Sequence, residues 1–179
     1  MTPSPNYRRF VLVFGPMLGV LLAGTVAFNV VADPYGAFDS LSPESLRDYR
    51  DHRSRISKAE RLTQRDWNVV LLGSSRTEAG LDPADPAWGA LGYNAGLRGG
   101  GLMETHLVAE FALDHARPDR LVICVDLAAL DSRRGVRPEF EVSRFNPTLD
   151  VFKYWASKLF GRSNLRLSRK ILRRARKND

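Results

Sequence analysis

From Phe10 to Ala32 the chain runs 23 positions without a charged residue. A stretch of that kind has few fates. As a helix rising about 1.5 Å per residue it matches the roughly 30 Å hydrocarbon core of a bilayer. Arg8 and Arg9 precede it, and Asp33 and Asp39 follow. The positive-inside tendency then leaves residues 1–9 cytoplasmic and exports everything from residue 33 onward. Gly15, Pro16, Gly19, Gly24 and Asn29 dilute the span, but membrane helices tolerate glycine and proline. The rival fate is a cleaved signal peptide, with Val30 and Ala32 at small positions ahead of Asp33. Signal peptides carry a shorter apolar region of about 7–15 residues, so the expectation is an uncleaved single-pass anchor over 10–32, its partner the lipid bilayer.

The remaining chain has the length of one domain, and 44% hydrophobic with 26% charged residues excludes wholesale disorder. The net charge of +7 suggests nucleic acid until it is mapped. Residues 161–179 hold eight Lys or Arg and one Asp, so they carry the whole excess and residues 1–160 are neutral. The basicity belongs to a C-terminal helix interleaved with Leu165, Ile171 and Leu172. Exported, such a helix would meet anionic lipid or an acidic polymer, or remain a solvated tail; no nucleic-acid partner is expected. The single cysteine, Cys124, allows no internal disulfide and reads as a small core residue.

Between these ends the pattern is α/β. Asp33–Phe38 reads as a turn, and Ser42-Pro43-Glu44 as a helix start with Ser42 as N-cap. The charged run that follows predicts a solvated helical spacer over 33–66. Residues 67–160 then form the domain. Val69–Leu72 is a continuous apolar run bounded by Gly73, as in a strand buried on both faces. A short second strand is expected over Ala90–Asn94, and a helix from the glycines 96–101 to about Ala116, with Leu102, Met103, Leu107, Val108, Phe111 and Ala112 recurring at helical spacing. LVICVDL, residues 121–127, reads as a third buried strand ending at Asp126. Beyond charged turns after Asp131, Asn146–Phe160 predicts a helix with an apolar stripe of Val151, Phe152, Trp155, Leu159 and Phe160. Strand, turn, helix and strand in this order predict a parallel sheet with helices on both faces.

Ser74 and Ser75 fall at the carboxyl end of the first strand, where α/β sheets place reactive groups. They are equally ordinary turn residues. The glycine-rich run from Gly96 to Gly101 feeds a helix N-terminus, which suits an anion or oxyanion. It also simply permits a tight turn. Its spacing fits neither a dinucleotide nor a phosphate loop, and neither cofactor nor metal is expected.

Gly73-Ser74-Ser75-Arg76, the downstream Leu81-Asp82-Pro83, and YNAGLRGGG at 93–101 together resemble the SGNH (GDSL-type) hydrolases, in the membrane-anchored branch of bacterial envelopes. The resemblance covers roughly residues 53–130. It implies a three-layer parallel-sheet domain, flavodoxin-like in outline, and an inner-membrane protein with a periplasmic domain. It implies Ser75 as nucleophile, with Ser74 in the place of the family's aspartate and as alternative nucleophile. Gly99 matches the glycine whose N–H helps form the oxyanion hole, and Asn94 and Asp126 take supporting places. The implied activity is that of an esterase or O-acyltransferase acting on an envelope polymer. Two departures weigh against turnover. The family's D-x-x-H base block has no counterpart, since the histidines are His52, His106 and His115; and Ile123-Cys124-Val125-Asp126 lacks the oxyanion asparagine of G-x-N-D. The domain is therefore expected to be incomplete, as in a truncated relative, and weak or inactive alone. The alternative is a non-catalytic protein that binds a partner or glycan.

Overall fold

A computed structural model describes residues 5–89, 91–131 and 135–178. The chain forms two compact units. One comprises residues up to 34, then 38–50 and 155–179; the other comprises 35–37 and 51–154.

In the first unit, helix α1 (Pro5–Ala32) contains one segment, Tyr7–Ala32, long and apolar enough to cross a membrane. Residues 7–24 are exposed, and burial begins only over the last two turns, where Asn29 and Ala32 are covered. Helix α7 (Arg162–Asn178) packs there and against a 3-10 turn at Glu44–Tyr49. The expected cap at Ser42 is not formed. Pro43 holds the capping position, and the Ser42 hydroxyl instead donates to Val31 O at 2.6 Å. A buried Arg50 joins Asp39 at 2.5 Å and Asp33 at 3.4 Å, tying the residues after α1 together.

The second unit is built on a three-stranded parallel sheet in the order β2-β1-β3. The elements follow as α2 (Arg55–Leu62), β1 (Val69–Leu72), α3 (Ser75–Gly80), β2 (Gly92–Asn94), α4 (Leu102–His115), β3 (Arg120–Ile123), α5 (Pro138–Glu141) and the start of α6 (Val151–Phe160). β1 is central. Val69 pairs with Gly92 on one side and Arg120 on the other, and all four strand residues are at most 1% exposed. The second strand begins at Gly92; Ala90, where it was expected to begin, lies outside the described residues. β3 departs further from expectation. It ends at Ile123, is paired on one edge only among the described residues, and leaves Ile123 half exposed. An apolar run marks a strand as buried on both faces only when neighbours cover it, and β3 is the edge. Cys124, just past the strand, is half-buried rather than in the core.

The stretch over 33–66 is not a solvated spacer. Arg55, Ile56, Ser57, Lys58, Ala59, Glu60 and Leu62 of α2 are all buried in the sheet unit. Their charges are buried because each finds a partner. Arg55 makes a two-pronged pair with Glu104 of α4, Nη2 to Oε2 at 2.6 Å and Nε to Oε1 at 3.3 Å. Glu60 accepts from the Tyr154 hydroxyl and sits 3.4 Å from Arg144. Glu104 and Thr105 thus share the inner face of α4 with Val108, Phe111 and Ala112, while the expected Leu102 and Met103 stay exposed. In α6 likewise, Tyr154 and Lys158 are buried, whereas Val151 and Phe152 of the expected stripe are 65% and 82% exposed.

Removing one partner of a buried ion pair strands the other. Glu104→Ala is expected to destabilise the full chain by about 3–5 kcal/mol, read by urea unfolding on tryptophan fluorescence. A cost below about 1 kcal/mol, the range of exposed pairs, would show that Arg55 is not held as described.

Candidate functional site

The β2-β1-β3 order sends the chain from β1 to one side and then back across to the other. In open parallel sheets ligands bind where connections diverge in this way, at the carboxyl ends of the strands. Here that place lies between the ends of β1 and β3, and Ser74 and Asp126 meet in it.

Their meeting depends on Gly73. Its φ of +149° is one that side-chain-bearing residues rarely adopt, and a Cβ there would lie 2.6 Å from Cys124 O and clash with the Thr77 hydroxyl. The sheet continues on both sides of this bend, with Cys124 N donating to Leu72 O at 2.9 Å and Leu97 N to Gly73 O at 2.7 Å. Ser74, 6% exposed, then caps α3 by accepting from Arg76 N at 3.2 Å, and its hydroxyl donates to Asp126 Oδ2. The other oxygen of Asp126 accepts from Ala129 N at 2.9 Å and caps a 3-10 turn over Leu127–Leu130. The hydrogen bond from Ser74, with that from Ala129 and the charge of Arg76, holds the Asp126 carboxyl below the usual carboxylate range against the opposing effect of desolvation.

Ser75 is the first residue of α3 and is exposed. Among the described residues its hydroxyl makes no hydrogen bond, to a histidine or to anything else. The histidines are engaged elsewhere. His115 stacks on Phe111 at 4.0 Å, His106 lies 3.5 Å from Glu110, and His52 lies 3.4 Å from Arg61.

Asn94 closes β2 by joining it to α3. Its Nδ2 donates to Thr77 O and Leu81 O, each at 2.8 Å, and its Oδ1 accepts from Gly96 N at 3.0 Å. Gly99 has a left-handed φ of +61°, and a Cβ there would run into the guanidinium of Arg137, whose Nε donates to Gly99 O at 3.2 Å. The glycine that touches the serine turn is Gly96: a Cβ there would come within 3.0 Å of Ser74 O and 2.8 Å of Glu78 N.

Two residues of this site carried no chemical assignment in the sequence reading, Lys58 and Glu78. Lys58, 2% exposed, donates to Gly96 O and, at 3.0 Å, to Glu78 Oε1; Arg98 Nε donates to Glu78 Oε2 at 2.5 Å. Burial pushes the Lys58 ammonium below its ordinary value, and Glu78 opposes that shift. The two cations hold the Glu78 carboxyl below its ordinary value even though burial alone would raise it. In the sequence Glu78 is marked by its position four residues after Ser74, and Lys58 by lying in the basic segment ahead of Gly73-Ser74-Ser75-Arg76. A depression of about 280 Å³ lies alongside, lined by Arg76, Thr77, Leu81, Cys124, Val125 and Asp126.

The arrangement is a carboxylate–hydroxyl contact that fixes a turn, a solvent-facing second hydroxyl, and a buried cation–carboxylate pair beneath them. Among the described residues no group of three His, Cys, Asp or Glu side chains is placed to hold a metal ion. Comparisons with protein-family models, curated proteins and solved structures find no match.

Two expectations follow. Gly73→Ala combines strain with a clash against backbone, and should lower stability by more than about 1 kcal/mol, read as a fall in the thermal midpoint. The second concerns acid. Because the Asp126 carboxyl is held low in the folded chain, its stabilising effect is fully present above the unfolded carboxylate range and is lost as pH falls through the folded value. The native chain should lose more stability than Asp126→Asn on going from pH 6 to about pH 3; parallel profiles would show that the Ser74 contact contributes nothing.

Proposed function

We propose that this chain is a membrane-anchored protein of the bacterial cell envelope whose SGNH-like unit binds an envelope polymer or partner and turns over esters very weakly on its own. In this reading α1 spans the inner membrane with residues 1–9 cytoplasmic, and the sheet unit, a three-layer domain of the SGNH kind, lies on the exported side. One observation carries the choice of binding over turnover: the buried hydroxyl of Ser74 is committed to Asp126, while the exposed hydroxyl of Ser75 has no base among the described residues. An unassisted serine is a poor nucleophile. General-base assistance contributes typically 10²–10⁴-fold, and each oxyanion donor roughly 10²–10³-fold. Both family elements that would supply them, the D-x-x-H histidine and the G-x-N-D asparagine, are missing from the sequence.

A second reading, acyl transfer through Ser75, is favoured by the exposure of that residue at the carboxyl end of the central strand. It needs a general base that the described residues do not bring to Ser75. The two readings separate in one experiment. The purified chain in detergent should hydrolyse a p-nitrophenyl ester at a rate unchanged by Ser75→Ala and should not be labelled by a fluorophosphonate probe. Turnover and labelling that both vanish in Ser75→Ala would replace binding with catalysis.

The anchor has its own test. Alkaline phosphatase fused after residue 179 should be active in cells, and a cytoplasmic reporter at the same place should be dark. The reverse pattern would overturn the topology and the envelope reading with it.

A further inference from the structure

Helix α7 is two-faced to an unusual degree. At about 100° per residue, Asn164, Ser168, Ile171 and Ala175 fall on one narrow stripe. The first three are at most 5% exposed. All eight Lys and Arg from Arg162 to Lys177 fall on the arc opposite, every one is exposed, and no acidic residue interrupts them. Leu165 and Leu172 line one flank and Leu167 the other, each half-buried.

The buried stripe fixes where the helix sits. Asn29, in the last turns of α1, donates to Leu159 O at 2.7 Å and accepts from the Ser168 hydroxyl at 3.0 Å; Asn29 is 1% exposed and Ser168 0%. A polar side chain three residues from the end of an apolar span is thus satisfied by α7 and by the last turn of α6. Before that junction α1 presents residues 7–24 bare. Those residues rise about 27 Å as a helix, close to the thickness of a bilayer's hydrocarbon core. The packing therefore places α7 where the hydrocarbon ends and the head groups begin. Trp155, 5.5 Å from Phe38, and the half-exposed Phe160 belong to the same unit and suit that depth.

We infer that α7 is an interfacial helix whose basic face gathers anionic phospholipid head groups around the exit of the anchor. The inference rests on the reading of α1 as a membrane span. Several guanidinium and ammonium groups on one solvent-facing arc match a layer of phosphate-bearing head groups, and each such group near an anionic surface adds attraction that salt screens. Flanking leucines give the helix apolar edges to settle into the head-group boundary. An acidic polymer or nucleic acid would also be attracted by the charge. Neither is favoured by the position of the helix against the anchor.

The test uses the full chain in liposomes, with Cys124→Ala and a fluorophore at Lys170→Cys. Nitroxide-labelled phosphatidylglycerol or phosphatidylcholine, at equal mole fraction, serves as quencher. The anionic lipid should quench at least about threefold more efficiently in low salt, and the preference should vanish near 0.5 M salt. It should also vanish in the variant R166Q/R169Q/R173Q/R174Q, whose changes are all on the exposed arc and whose helicity is checked by circular dichroism. Equal quenching by the two lipids, or a preference that survives the variant, overturns the inference. So does a face that shows no lipid preference while binding polyglutamate or a DNA oligonucleotide. Alkaline carbonate distinguishes the foundations. A chain extracted from the vesicles has no spanning α1, and both readings fall; a chain that stays embedded without lipid preference overturns α7's role alone.

Discussion

Where the chain turns from β1 into α3 it passes close to backbone on either side, and a methyl group at position 73 would come 2.6 Å from Cys124 O. That close approach lets the ladder continue beyond the strand, through Leu97 on one side and Cys124 on the other. It also sets the direction in which the two serines leave. Ser74 is turned inward to the end of β3 and Ser75 outward to solvent. Every feature of the candidate site follows from this bend: the cap on α3, the bond to Asp126, and the approach of Gly96 to the turn.

The bend is held from below by charge. Glu78 stands between Lys58 of α2 and Arg98 of the loop after β2, and Lys58 also takes up Gly96 O. One carboxylate therefore links a helix that precedes the sheet, the helix that follows β1, and the loop that follows β2. Burying charge is costly unless every group is paired. Arg55 with Glu104, and Glu60 with Tyr154, meet the same requirement at either end of α2. Such a network stabilises less than an apolar core of equal volume, but it tolerates few other arrangements of the same elements.

These pairings explain what could be read from the residues and what could not. Val69–Leu72 announced itself because a buried central strand is apolar throughout, and the helix after the glycines because its inner face repeats at helical spacing. α2 did not, because Arg55, Lys58 and Glu60 look like surface until Glu104, Glu78 and Tyr154 are brought to them from positions 20 to 94 residues away. β3 misled in the opposite sense: its apolar residues resemble a central strand, while its single partner makes it an edge. In the site, Asp126 had a supporting place only through the family resemblance; that it meets Ser74 rather than Ser75 depends on the backbone angle at Gly73 and not on residue type.

The serine turn is a joint in which the Ser74 hydroxyl is fastened to Asp126 and the Ser75 hydroxyl faces solvent. The most direct measurement is the unfolding free energy of Ser74→Ala against Ser75→Ala in the full chain. Ser74→Ala removes a helix cap and a hydrogen bond to a carboxylate, and should cost about 1–3 kcal/mol, while Ser75→Ala should stay within about 0.5 kcal/mol of the native chain. A neutral Ser74→Ala beside a costly Ser75→Ala would contradict the account.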